Sequence, residues 1–309
     1  MHLDSKIQVW QRPLPTSIAP FVGSCKFQAL PSDALKDDDN AAWILTLDRP
    51  WRHHWLERVR WIRWVDRLAE NDLLGGPGCR FAAFCRSWQR LRDQQVINPQ
   101  DCWGTWLSAI QQRWFEGEVD SVRIRAWDSY IEASARYHCH DLCLADLPEL
   151  EALYNGFAGN FFQIFPLLDS HQFEAVRHFG ILDQFYNQLR DLAEDAQQGF
   201  CYFPQTVLEE FGLARSQFLE GTAVDQPRYH HLMNFWLDDY LPTLIKNAEP
   251  FLQAEDLHPS WQLLRYWSLH RYSRIEQVLY ESHLDYRQFP YRYWSAVRHD
   301  LRNWRWFPR

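Results

Sequence analysis

Two aspartates one helical turn apart, Asp191 and Asp195, lie in the stretch from Phe179 to Asp195 together with Gln184 and Asn187. Steps of three, four and four residues put these two carboxylates and two amides on one face of a helix. Like charges a turn apart repel by roughly a few tenths of a kcal/mol on an exposed helix, so such a pair is either solvated or recruited to hold a cation. Taken alone, Asp-x-x-x-Asp reads as a solvated face. A second stripe changes that weighing: between Arg52 and Glu70, the residues Arg63, Asp66 and Glu70 share a face, and again two carboxylates are four apart. Magnesium takes hard oxygen ligands and commonly bridges one or two carboxylates to phosphate oxygens. Two acidic helices facing each other would make that bridge, and arginines beside them would hold the remaining phosphate oxygens through paired hydrogen bonds.

Helices must carry these residues. From Arg52 to Asp72 the residues Trp55, Leu56, Val59, Ile62, Val65 and Leu68 recur at steps of three and four, and Leu73-Leu74-Gly75-Gly76-Pro77-Gly78 ends the run. The same period predicts helices over roughly 80–94, 102–115, 121–137, 147–168, 171–197, 227–254, 260–284 and 288–304. Hardly any segment alternates like a strand. Residues 1–40 carry Pro13, Pro15, Pro20 and Pro31 and close with Asp37-Asp38-Asp39, a pattern that predicts an extended N-terminal arm. With no low-complexity linker and no repeat, residues 41–309 read as one all-α domain, a large helical bundle.

Composition narrows the partners. A chain of 309 residues that is 46% hydrophobic can bury a sizeable core. Its formal net charge of -8 argues against a broad basic surface for nucleic acid. Seventeen Trp, 13 Tyr and 20 Phe are more aromatic surface than such a core requires; a lined apolar cavity or a membrane-facing surface would use the excess, and ordinary core would absorb most of it. Seven cysteines without a Cys-x-x-Cys pair fit a reduced, cytoplasmic compartment. The run His138-Cys139-His140-Asp141-Leu142-Cys143 has metal-capable types but no second ligand pair, so it reads as a helix end with buried thiols in preference to a zinc site. No stretch approaches the ~20 apolar residues of a membrane span. The start of the chain lacks the form of a signal peptide. The closing Trp304-Arg305-Trp306-Phe307-Pro308-Arg309 suits either peripheral contact with a membrane interface or a packed tail.

The acidic stretches resemble the squalene/phytoene synthase family, the head-to-head prenyl transferases. That family's second aspartate motif runs approximately Gln-Leu-x-Asn-Ile-x-Arg-Asp-x-x-Glu-Asp, then Gly-Arg-x-Tyr-Leu-Pro; here Gln184-Phe185-Tyr186-Asn187-Gln188-Leu189-Arg190-Asp191-Leu192-Ala193-Glu194-Asp195 is followed by Gly199-Phe200-Cys201-Tyr202-Phe203-Pro204. The first motif, an arginine followed by a helix ending in Arg-x-x-Asp-Asp-x-x-Asp, is similar to Arg52 followed by Arg63-Trp64-Val65-Asp66-Arg67-Leu68-Ala69-Glu70. Leu150 to Gly159 is similar to the segment between them.

The resemblance implies an isoprenoid synthase-type helical bundle in which Asp66, Glu70, Asp191 and Asp195 hold Mg2+. It implies two prenyl diphosphates as substrates, with Arg52, Arg63 and Arg190 on diphosphate oxygens and Asn187 with Gln184 orienting metal water or substrate. NADPH use is left open. Five departures bear on activity. Asp37-Asp38-Asp39-Asn40 stands where the family has a Ser-x-Ser-Phe-like element, and carboxylates there should repel a diphosphate unless a metal intervenes. Phe200 replaces an arginine, Leu153 a tyrosine, and Glu70 and Arg67 replace aspartates. Three expectations follow: a Mg2+-dependent head-to-head prenyl transferase, a catalytically altered relative acting as an assembly or binding factor with a protein partner, and a hydrolase of prenyl or other diphosphates.

Overall fold

In the computed structural model of the protein, residues 31–303 are described, Pro77 and Pro99 excepted. Among them there is no strand, as the all-α reading expects. The first helix, α1, spans Pro31–Ala41 and runs into a short 3-10 turn, Ala42–Thr46, whose residues are all buried. Residues 31–41 therefore depart from the expected extended arm, and residues 1–30 lie outside the described residues. The cause is long range: Asp39 is 1% exposed and meets arginines from helices far along the chain.

Helix α2, Arg49–Ala69, starts with Pro50 in its first turn, where proline's missing N–H and fixed φ cost nothing. It passes into a wider π turn, Glu70–Leu74. Then follow α3 (Arg80–Gln94), α4 (Gly104–Trp114) and α5 (Ser121–Tyr137), the last begun by Asp120 accepting from the Arg123 N–H at 3.1 Å. Helix α6, Leu147–Tyr154, is capped in the same way by Asp146 and continues through a π turn, Asn155–Gly159, into α7, Asn160–Gln163. The expected helix over 147–168 thus stops early, and Leu167 adopts a positive φ.

Helix α8, Phe173–Gln197, runs through the centre. Two short helices, α9 (Gln205–Glu210) and α10 (Arg215–Leu219), precede α11 (Tyr229–Asn234), a π turn (Phe235–Tyr240) and α12 (Leu241–Leu252). Helices α13, Pro259–Glu281, and α14, Phe289–Asn303, complete the described fold.

The apolar residues form two cores. The larger gathers around α8, α12 and α13, and the smaller is built by α2 to α5. Phe157, Phe161 and Ile62 pack against both and join them. Most of the surplus tryptophan is ordinary core: in the smaller cluster Trp64 meets Trp103 and Trp106, and Trp114 meets Trp61 and Trp127, all with tilted or edge-on rings. Gly180 lets α8 approach the Asn155–Gly159 turn, since a Cβ there would lie 2.4 Å from the Ala158 carbonyl oxygen.

Candidate active site

Helix α8 is buried almost all round. From Phe179 to Ala196 the residues that keep partial exposure are Gln184, Asn187, Asp191, Glu194 and Asp195, and every one of them lines a cavity of about 420 Å³. The stripe inferred from spacing is therefore the single open face of a core helix. Asp66 and Glu70, from the end of α2, line the same cavity, as do Arg63 and Arg190. The two acidic stripes thus face one shared hollow. The apolar side chains of Trp43, Trp55, Phe161, Phe162, Phe165 and Leu264 line the same cavity.

Seven carboxylates line this cavity beside five lysine and arginine side chains. Burial works against the Asp66 carboxylate, yet a hydrogen bond from His138 and the charges of Arg63 and Arg67 hold its pKa below the ordinary range. Asp191 is likewise opposed by burial and held low by Arg190, which donates to both its oxygens at 2.9 and 2.8 Å, and by Lys36 at 3.4 Å. Lys36 also reaches Glu194 at 2.9 Å; burial disfavours its charge, but the two carboxylates raise its pKa. Asp195 differs. No hydrogen bond or ion pair to its carboxylate occurs among the described residues, and burial together with the charge of Asp191 pushes its pKa well above the usual carboxylate range.

Asn187 donates to Asp183 at 3.2 Å, while its own Oδ1 is buried without a partner. A carboxylate and an amide oxygen left unanswered on one face, with more carboxylates opposite, form a hard-oxygen donor set that suits a divalent cation. Arg52 is not brought to the cavity. Its guanidinium donates to the Leu47 carbonyl at 3.1 and 2.8 Å, closing the turn that enters α2, which corrects its expected diphosphate role.

Sequence reasoning missed several contributors. Asp37 reaches Arg63 at 3.1 Å and lines the cavity. Asp39 is turned away from the cavity and instead accepts from Arg190, Arg274 and the Tyr293 hydroxyl. Asn40 accepts from Arg190 at 2.7 Å and from Arg271, which also pairs with buried Asp183. The charge of Asp39 is therefore met by its own arginines and does not line the cavity.

His138 caps α5 and turns its ring toward Asp66, with Nε2 at 3.6 Å from Oδ1. Burial works against its charge, but Asp66 raises its pKa. The helix end at Tyr137 was legible, but the thiols are not buried: Cys139 is partly exposed and Cys143 exposed. Leu153 and Phe200, two departures from the family pattern, both line the cavity. The aromatic and basic C-terminal run lies outside the described residues, and among those described no helix is long and apolar enough to cross a membrane.

Residues 35–298 match the family model for squalene/phytoene synthase. A chloroplastic phytoene synthase from an Oncidium hybrid cultivar is 31% identical over 84 residues, a match that covers 27% of this chain and 18% of that protein. The fold is similar to that of a dehydrosqualene synthase solved in complex with ligand, at TM-score 0.62 and 16% identity, over 86% of this chain and 92% of the other. It is also similar to squalene synthase HpnC from Alicyclobacillus acidocaldarius, at TM-score 0.61 and 16% identity, over 80% and 88% of the two chains.

Proposed function

The chain belongs to the squalene/phytoene synthase family, and from that membership we propose that it is a Mg2+-dependent transferase that condenses two prenyl diphosphates head-to-head. One observation carries this reading: two acidic stripes and two of their arginines line a single cavity together with many aromatic and aliphatic side chains.

Asp66, Glu70, Asp191, Asp195 and Asn187 would hold the cation, which when bound supplies charge neutralisation for a departing diphosphate. Arg63 and Arg190 sit where diphosphate oxygens would arrive, and Gln184 lies beside them on the stripe. Trp43, Trp55, Phe161 and Phe165 would line the path of the prenyl chain and exclude water from it. In such a condensation the C–O bond of one substrate breaks toward the departing diphosphate. The second chain's double bond then captures the cation, and loss of a proton closes a cyclopropane. Electrostatic stabilisation of the leaving group is the main catalytic contribution.

Arg63 and Arg190 already have internal carboxylate partners in Asp37, Asp66, Asp191 and Asp39. That observation supports a second reading, a family member acting as an assembly or binding factor. Incubation with farnesyl or geranylgeranyl diphosphate and Mg2+, with pyrophosphate release followed in the intact protein and in Asp191→Ala, separates the two. Release that is lost in Asp191→Ala supports the transferase. Absence of release from the intact protein, with a stoichiometric protein recovered in pull-down, supports the binding factor.

A further inference from the structure

The first acidic stripe contains a nitrogen donor that its own helix does not supply. Asp66, Glu70 and His138 each offer one ligand atom, and the three atoms lie within 4.8 Å of one another. Residue 138 is 72 positions beyond Asp66 and arrives from the end of α5. Its ring is oriented from outside the cluster: Nδ1 lies 2.9 Å from the Ser134 carbonyl oxygen, a backbone acceptor. With Nδ1–H donating to that carbonyl, Nε2 is the ring nitrogen left facing the Asp66 carboxylate, and a metal ion would take the place of the proton it shares there. Metal-binding histidines have this arrangement, in which a bond from the second ring nitrogen fixes tautomer and direction.

The spacing is suitable. Metal–nitrogen and metal–oxygen bonds of about 2.0–2.2 Å put neighbouring ligand atoms roughly 3 Å apart and opposed ones roughly 4 Å apart. Nε2 and the nearer Asp66 oxygen are 3.6 Å apart, and all three ligand atoms lie within 4.8 Å, so side-chain rotation has to draw the set together around an ion.

We propose that Asp66, Glu70 and His138 form a mixed nitrogen–oxygen site that prefers a first-row transition dication, of the Co2+, Fe2+ or Zn2+ type, over magnesium. The reason is ligand chemistry. Imidazole suits these ions, whereas magnesium prefers oxygen and keeps its water. The opposite stripe of Asn187, Asp191 and Asp195 is all oxygen and suits magnesium. The cavity would then hold two kinds of cation site, one on each wall. This inference departs from the functional reading at one point, taking Asp66 and Glu70 out of the magnesium set, and rests on that reading only for the metal's purpose.

The test uses the full chain stripped of metal. Co2+ is titrated and followed by its visible absorption, and Mg2+ is titrated by calorimetry, in the intact protein, His138→Gln, Asp66→Asn and His140→Ala. His140 is the exposed histidine two residues on and serves as the control. The intact protein should bind Co2+ at least about tenfold more tightly than His138→Gln does, by the loss expected when even a supporting partner of a metal ligand is removed. Mg2+ binding should be unchanged in that variant, Asp66→Asn should lose the Co2+ spectrum, and His140→Ala should match the parent.

Equal Co2+ affinity in His138→Gln, or a rise in its Mg2+ affinity, would overturn the proposal and identify His138 as a resident cation that keeps metals off the stripe. Circular dichroism of each variant verifies folding, and Asp66→Asn decides the question independently if His138→Gln does not fold. Failure of prenyl diphosphate turnover would leave this binding result standing, and failure of Co2+ binding would leave the turnover assay standing.

Discussion

Asp39→Asn removes one charge while keeping the shape of the side chain, and it separates an architectural carboxylate from a substrate-facing one. One oxygen of Asp39 meets Arg274, and the other accepts from the Tyr293 hydroxyl at 2.7 Å and lies 3.5 Å from Arg190. The side chains of Arg190 and Arg274 are 3% and 9% exposed, so their charges cannot turn to water. Breaking a buried pair by removing one partner costs about 3–5 kcal/mol. Each arginine keeps a second carboxylate, Asp191 for one and Asp300 for the other, which puts the expected loss near the lower end, about 3 kcal/mol. In a domain of this size each kcal/mol moves Tm by roughly 2–4 °C, so the midpoint should fall by roughly 6–12 °C.

Asp37→Asn is the comparison. Asp37 is itself buried, but its partner Arg63 is 29% exposed and Arg67 stands off at 4.0 Å, so the loss should be the smaller one, about 1 kcal/mol. Thermal melts of both variants, recorded with and without Mg2+ and pyrophosphate, give the two numbers side by side. If Asp39→Asn melts within about 2 °C of the parent, or Asp37→Asn loses as much, the view that Asp39 pins α1 to the bundle is wrong.

Three further outcomes follow from single contacts. Gly180→Ala puts a methyl 2.4 Å from the Ala158 carbonyl oxygen and 2.8 Å from its carbon, both backbone atoms, so urea denaturation should show a loss of about 1–3 kcal/mol; an unchanged midpoint would mean the helices can separate freely. Lys36→Met removes the ammonium that bridges Asp191 and Glu194, and calorimetry should show Mg2+ binding several-fold tighter, about 1 kcal/mol, whereas weaker binding would make Lys36 part of the cation site instead of its competitor. Cys201 is buried, and burial pushes its pKa up to about 12, so at pH 8 roughly one thiol in ten thousand is thiolate. Peptide mapping after a thiol reagent should find Cys79, Cys102 and Cys143 labelled and Cys201 labelled only after denaturation; rapid labelling of Cys201 in the folded protein would contradict its burial.

The parts of this site that were legible in the chain are those written in a helical period. Gln184, Asn187, Asp191 and Asp195 stand out because from Phe179 to Ala196 everything else on α8 but Glu194 is buried, so a polar stripe had to face either solvent or a cavity. Asp66 and Glu70 follow from the same logic on α2. Arg52 failed because a matched position says nothing of where a guanidinium points, and this one satisfies a carbonyl five residues back. His138 gave no periodic signal, since it comes after the last turn of α5 and its direction is set by one backbone carbonyl. Helices α9 and α10, of six and five residues, are too short to display a period at all.

The acidic run before Ala41 shows why local reading fails most where charge is buried. Taken with its prolines, Asp37-Asp38-Asp39 looks like a solvated breaker, because three adjacent carboxylates have no local partner. Their partners lie elsewhere: Asp39 is answered 151 residues later by Arg190 and 235 residues later by Arg274. The substitution that seemed to oppose a diphosphate thus divides into two effects. Asp39 became architecture, fixing the end of α1 against α8 and α13. Asp37 stayed in the cavity lining, where it competes with any anion for Arg63. Departures from a family pattern can weigh on the site only as far as their side chains reach the cavity, and by that measure Asp37, Leu153 and Phe200 reach it while Asp39 does not.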